Sequence, residues 1–225
     1  MLQRLLFQIA KGPLMGFLVG IAFRYCCWAI PVKKVYQSKE IIAFRHPQPS
    51  YENHVILSPR KVIKDLRQLA SDHNSSLFLK TWEAVKRLCE THPAYHDAFV
   101  LVANGGKRQE VQQVHFHLFT NGAMVHDYAV RAKDENVLYQ DQEICVIKHP
   151  NPNWEFHFVV TPSIRASEGH QDTYIKNLLR SIDQLNASFH IVQKGYSLVC
   201  QHKKKNDMEH PVFHIVSGKK LFPAE

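Results

Sequence analysis

The feature that most constrains this chain is a repeat. Residues 35–60 align without a gap against 138–163, giving ten identities in twenty-six positions. Val35-Tyr36-Gln37 recurs as Leu138-Tyr139-Gln140, and Glu40-Ile41 as Glu143-Ile144. His46-Pro47-Gln48-Pro49 recurs as His149-Pro150-Asn151-Pro152, while Glu52, His54 and Pro59 return as Glu155, His157 and Pro162. Further on, Tyr196 to Gly218 lies against Phe99 to Asn121, with Phe213-His214-Ile215 matching Phe116-His117-Leu118. A repeat of this length means one supersecondary unit built twice.

The unit reads as α+β. Ile41–Phe44 and His54–Leu57 have strand character around the Pro47–Ser50 turn, and Phe99–Val102 is a third strand. Val62, Ile63, Leu66 and Leu69 predict a helix over 60–69. A longer helix carries Leu77, Phe78, Trp82, Val85 and Leu88, capped by Asn74-Ser75-Ser76 and ended before Pro93. In the second copy, Tyr174, Ile175, Leu178, Leu179, Ile182 and Leu185 give the matching helix. The last strand, Val111–Phe119, alternates: Val114, Phe116 and Leu118 point to a core, Gln113, His115 and His117 to an open face. It follows Asn104-Gly105-Gly106, and the combination looks like a phosphate-handling site.

The two copies differ where chemistry would sit. Val212 stands for His115, Gln201 for Asn104, and His202-Lys203 for Gly105-Gly106, so any active site belongs to the first copy. His46 and His54, kept as His149 and His157, read as fold-stabilising. Trp28, Trp82 and Trp154 read as core or interface, and His73, His92, His96, His126 and His190 as scattered surface residues. The bland reading of His115 and His117 is a pair of solvent-facing strand histidines.

Five cysteines at 26, 27, 89, 145 and 200 form no CxxC, so neither a zinc site nor a disulfide framework is expected, and the setting is expected to be cytoplasmic. The charge of +8 suits phosphorylated ligands; no recognition helix, RNP or OB signature points to a specific nucleic acid. Residues 1–34 stand apart as a hydrophobic, helical segment. Gly12 to Phe23 is uncharged, but Arg24 interrupts it short of the about 20 apolar residues a span needs. A packed helix and an in-plane membrane-surface contact both fit.

The Gln113-x-His115-x-His117 strand, its Asn-Gly loop and the upstream Phe44…His54-Val-Ile-Leu-Ser-Pro-Arg60 segment resemble the histidine-triad (HIT) superfamily. That superfamily comprises nucleotide hydrolases and nucleotidyl transferases with a His-φ-His-φ-His-φ-φ strand. The resemblance is strong over 35–122 and weak over 138–218, and the tandem arrangement resembles bacterial HIT-like proteins with two units in one chain. It implies that His115 is the nucleophile that attacks an α-phosphorus through a nucleotidyl-histidine intermediate. His117 would be the third triad member, and Asn104 with the Gly105 and Gly106 amides would donate to phosphate oxygens. His54 matches a histidine near the triad, and Arg60 a basic position after the second strand.

Three departures put the substrate in question. Gln113 replaces the first histidine and cannot carry a proton at neutral pH; Glu110 replaces a serine near the leaving group; His46 replaces the acidic residue that holds the ribose. The expected organisation is a first HIT-like domain over 35–130 and a degenerate one over 131–225. Each would have an antiparallel sheet and a long helix, packed as an internal pseudo-dimer in a monomer, or in a homodimer. The expected function is a nucleotide hydrolase or nucleotidyl transferase needing no cofactor or metal. The alternative is a protein that binds a nucleotide or another phosphorylated ligand without turnover.

Overall fold

The computed structural model describes residues 33–71, 73–122, 124–125, 136–163, 171–203, 208 and 211–221. The amino-terminal segment up to residue 32, and the junction at 130/131, lie outside the described residues. No helix among the described residues is long and apolar enough to cross a membrane.

The strands are β1 (Lys34–Gln37), β2 (Ile41–Arg45), β3 (Glu52–Pro59), β4 (Ala98–Gly105), β5 (Phe116–Thr120), β6 (Val137–Gln140), β7 (Ile144–Lys148), β8 (Trp154–Pro162), β9 (Tyr196–Lys203) and β10 (Phe213–Lys220). The helices are α1 (Leu66–Leu69), α2 (Ser75–Thr91), α3 (Gln171–Phe189) and α4 (Ile191–Lys194). All ten strands form one antiparallel sheet in the order β1-β2-β3-β5-β4-β9-β10-β8-β7-β6. Read inward from either edge the order is the same, so the α+β expectation holds and the aligned repeats occupy matching places. Even the first turn is matched. Ser38 Oγ accepts from Glu40 N and Ile41 N, and Asp141 Oδ1 accepts from Glu143 N and Ile144 N. Ser and Asp serve alike because each offers a short oxygen to its own backbone.

One face of the sheet is covered by the helices. Val55, Leu57, Phe99, Leu101, Phe116 and Leu118 from the first half join Phe158, Val160, Leu198, Phe213 and Ile215 from the second in a single buried cluster with Trp82, Phe78, Leu178 and Ile182. The helices meet above it. Trp82 Nε1 donates to the Met208 carbonyl, and Arg67 lies 3.6 Å from Asp183 at the surface. On the opposite face a smaller apolar patch of Val100, Val102, Phe119, Val199 and Val216 lies where the halves join.

Two local predictions are corrected. The helix expected over 60–69 forms only at Leu66–Leu69, opened by Asp65, whose Oδ1 accepts from Gln68 N. Ahead of it the backbone is held out of helical geometry. Gln113 bonds to the Pro59 and Lys61 carbonyls and to the Ile63 amide, while Ile63 O accepts from Val114 N. Asn74 precedes α2 without capping it; its side chain bonds to Gln68 O, Ser71 Oγ and Lys61 Nζ instead.

The loop after β4 packs directly on the second half. A Cβ at Gly105 would fall 2.2 Å from the Tyr196 ring, and one at Gly106 would fall 2.1 Å from the Val192 carbonyl oxygen. Gly106 also has φ +57°, a region that favours glycine. Gly106→Ala is therefore expected to destabilise the fold by roughly 2–4 kcal/mol, from strain and overpacking together. Urea unfolding of the variant checks this. The shared core further requires fluorescence and circular dichroism to report one transition in both proteins.

Candidate active site

The site lies on the sheet face opposite the helices, at the amino-terminal end of β5. His117 is on β5, paired with Val102 on one side and Ile56 on the other. His115 precedes the strand by one residue. Asn104 is two residues beyond Val102, the partner of His117, and so lies on the same face of β4. The strand predicted over 111–119 thus begins late, at Phe116. The early part bends because Gln113 turns inward.

Gln113 is 1 % exposed. Its Oε1 accepts from Ile63 N at 3.2 Å, and its Nε2 donates to the carbonyls of Pro59 and Lys61, both at 3.1 Å, with Ser58 Oγ at 3.4 Å. The amide is engaged with the 58–63 backbone, so the expectation that it shares the open face with the histidines is corrected. What Gln113 offers the site is its main chain. His115 Nδ1 lies 2.8 Å from the Gln113 carbonyl oxygen. A carbonyl only accepts, so Nδ1 carries the hydrogen and Nε2 keeps its lone pair.

His117 is ordered from the other direction. Gln48 N donates to His46 Nδ1 at 3.0 Å, and Ser50 N to His54 Nδ1 at 3.4 Å. Both neutral rings therefore carry hydrogen on Nε2. His54 Nε2 lies 2.9 Å from His117 Nδ1 and donates to it, which leaves His117 with hydrogen on Nε2. His46 stacks on His54 with centroids 4.2 Å apart, and the His115 and His117 rings meet edge to face at 5.0 Å. The result is a lone pair on His115 beside an N–H donor on His117.

Ring nitrogens of His46, His54 and His117 come within 4.8 Å of one another, close enough to suggest a metal. A ligating histidine, however, donates its second N–H to an acceptor. Here backbone N–H groups point at Nδ1 of His46 and His54, which favours the opposite tautomer.

Burial favours the neutral form of His54, His117 and His115. It pulls His54 down to about 4, with the His46 charge acting in the same direction. It pulls His117 well below the usual histidine value, reinforced by His115, His54 and His46. His115 is lowered by burial too, although the Gln113 carbonyl and the Glu110 carboxylate oppose the shift. Glu110 itself is exposed and Asn104 half-buried. Arg60, the expected basic position, is turned to the β1–β2 turn and donates to Ser38 O.

The second half repeats the outer part of this network. Asn151 N donates to His149 Nδ1 at 3.1 Å, His149 stacks on His157 at 4.1 Å, and His157 Nε2 lies 2.9 Å from His214 Nδ1. The stacked ring pair of His46 and His54 thus recurs in the second half as His149 and His157. Val212, in the His115 position immediately before β10, is 40 % exposed and offers no chemistry.

Two residues absent from the sequence-based set also belong here. Ser197 Oγ donates to Asn104 Oδ1 at 2.8 Å, and Arg108 donates to Ser197 Oγ at 3.1 Å. The sequence signal for Ser197 is slight: it stands where the first repeat has Val100.

An antiparallel sheet backed by helices, with two ordered neutral histidines on its open face, defines an α+β protein of the histidine-triad type. The HIT domain model matches residues 29–124. A HIT-like protein of Buchnera aphidicola is 30% identical over 91 residues, 40% of this chain and 80% of that protein. The purine nucleoside phosphoramidase of Escherichia coli is 29% identical over 91 residues, 40% and 76% of the two chains. An ADP-glucose phosphorylase from Arabidopsis thaliana shares the fold at a TM-score of 0.57, with 8% identity over 88% of this chain and 81% of its own. The chain belongs to the HIT family.

The depressed histidines fix a pH dependence. A histidine whose folded pKa lies below its unfolded value of about 6.5 contributes stability that is present in full above that value. The contribution is lost as pH falls through the folded pKa. Thermal midpoints are expected to drop between about pH 6.5 and pH 4, the window set by His54. His54→Asn should flatten that drop while lowering stability at pH 7. Melting curves across the range check both.

Proposed function

We propose that the chain is an enzyme acting at the α-phosphate of a nucleotide, a hydrolase or nucleotidyl transferase with His115 as nucleophile. The observation that carries this is the bond from His115 Nδ1 to the Gln113 carbonyl, which leaves Nε2 with its lone pair. Attack by Nε2 forms a P–N bond as the bond to the leaving group breaks. Water or another acceptor oxygen then displaces the histidine, restoring the neutral ring. Dividing one displacement into two suits imidazole, which is nucleophilic when neutral and departs readily.

His117 Nε2–H, the Asn104 amide and the backbone amides of Gly105 and Gly106 are the donors for the phosphate oxygens. Neutral donors fixed beforehand suit a transition state in which oxygen charge grows. Glu110, whose charge reaches His115, is the candidate to carry the leaving group's proton. His46 takes the place beside the ribose, offering N–H where the family pattern has a carboxylate. The E. coli relative's activity on purine nucleoside phosphoramidates makes that substrate class the first to try. We read the chain as two HIT-like units, 35–130 and 131–225, acting as an intramolecular pair with one active site.

The second reading is a phospho-ligand binder without turnover, favoured by the engagement of Gln113 and by a carboxylate at Glu110. One experiment separates the two. The protein and His115→Ala are incubated with nucleoside phosphoramidates and dinucleoside polyphosphates, nucleotide release is followed, and His115 is examined for a nucleotidyl mass adduct. Release is expected to fall at least about 1,000-fold in the variant, as loss of a nucleophile acting in concert with its neighbours does. Turnover unchanged in His115→Ala would overturn the nucleophile assignment. Binding without turnover in either protein would establish the second reading.

A further inference from the structure

Asn104 is aimed by the other half of the molecule. Arg108, in the turn after β4, lies with its guanidinium 4.3 Å over the ring of Trp154 from β8. Its Nη2 donates to Gly218 O at 2.7 Å, and its Nη1 donates to Val216 O at 3.3 Å and Ser197 Oγ at 3.1 Å. Every one of these partners belongs to the second half.

The hydrogen bonds run in one direction, from Arg108 through Ser197 to Asn104. A guanidinium can only donate, so Ser197 Oγ accepts from Arg108. The Ser197 hydroxyl hydrogen is left for Asn104 Oδ1, 2.8 Å away. With its carbonyl oxygen taken, Asn104 has its Nδ2 hydrogens to present. The reverse orientation would ask Ser197 to accept from both neighbours and would turn a carbonyl oxygen toward a phosphate.

Among the described residues the arrangement is seen on one side of the β4–β9 pairing. Asn104 is paired with Ser197, and the symmetry-matched pair is Gln201 with Val100. Gln201 has no hydroxyl opposite it, and its Oε1 accepts from Met124 N. The Arg108–Ser197–Asn104 relay lies in the half that carries His115, whereas the matched pair in the half that carries Val212 is Gln201 with Val100.

We propose that Arg108 and Ser197 form a positioning relay through which the second half orients the Asn104 amide toward the phosphoryl group attacked by His115. Neither touches the substrate; both act through Asn104. The inference rests on the reading of His115 as nucleophile, and it assigns the second half a task in that chemistry.

The test is a double-mutant cycle on the full chain with adenosine 5′-phosphoramidate as substrate and AMP as binding probe. Ser197→Ala is expected to lower kcat about 10- to 100-fold, the scale on which supporting contacts and single oxyanion donors act. Asn104→Ala should lose as much or more, and adding Ser197→Ala to it should cost less than twofold further. Ser197→Thr, which keeps the hydroxyl, should restore most of the rate. Ser197→Cys, nearly isosteric and a poor donor, replaces the alanine variant should that one fail to fold.

A Ser197→Ala enzyme with full kcat, or losses that simply multiply in the double variant, overturns the relay. AMP affinity and the Asn104 side-chain amide resonances supply a readout independent of turnover. If the wild-type protein binds AMP without turnover, and Ser197→Ala weakens that binding and abolishes the amide shift, the relay stands and the nucleophile reading fails. A wild-type protein that neither turns over nor binds AMP overturns both.

Discussion

Strand β4 meets β5 on one side and β9 on the other, and the second pairing decides the architecture. Eight residue pairs, from Ala98 with Lys203 to Gly105 with Tyr196, join the halves into one sheet. Without it both strands would be apolar edges open to pairing with other chains. With it, the residues beneath form one core and the loop after β4 is pressed against Val192 and Tyr196. The glycines of that loop are accordingly demanded by packing whatever else their amides do. At the matching place in the second half, His202 stacks on Phe99 with centroids 4.8 Å apart, so a side chain fills the space that the Tyr196 ring occupies beside Gly105.

The imidazoles illustrate how a site can be made polar without being charged. Two backbone amides in the His-Pro loop order the tautomers of His46 and His54, and that order passes to His117. His115 is ordered separately, from the Gln113 carbonyl. Burial suppresses protonation, so the donors and the lone pair are set by the fold itself. The same loop and ring pair occur in the second half, where they serve the fold without a histidine at position 212. Conserved geometry in that half therefore separates the scaffold from the residues that differ, His115 and Asn104 above all.

Much of this was legible in the sequence because strands carry a period of two and the repeat doubled every signal. The core positions of β2 to β5 and the length of α2 to Thr91 follow from residue type and spacing, and the candidate site was placed in the first half by the same comparison of the repeats. What spacing could not show was tertiary. The alternation of Gln113 with His115 suggested a shared face, but a buried amide can satisfy three backbone groups at once, and the chain bends to let it. The same contacts hold Arg60–Ile63 out of helical geometry and shorten the helix predicted there. Asn74 has the residue type of a cap, yet Ser71, Gln68 and Lys61 compete for its side chain. Ser197 sits in an otherwise apolar strand, and its meaning comes from the residue across from it in the other half.

The Asn104–Ser197 pair has a consequence for symmetry. In an assembly of two identical chains, each position must serve both sides of the axis. A serine opposite Asn104 would then also occupy the place of Val100, within the apolar patch formed with Val102 and Phe119. Joining two units covalently removes that obligation. One side of the axis can hold a hydroxyl for an amide while the other keeps a branched hydrocarbon for packing. A single polypeptide is thereby free to divide labour that a pair of identical subunits would have to compromise.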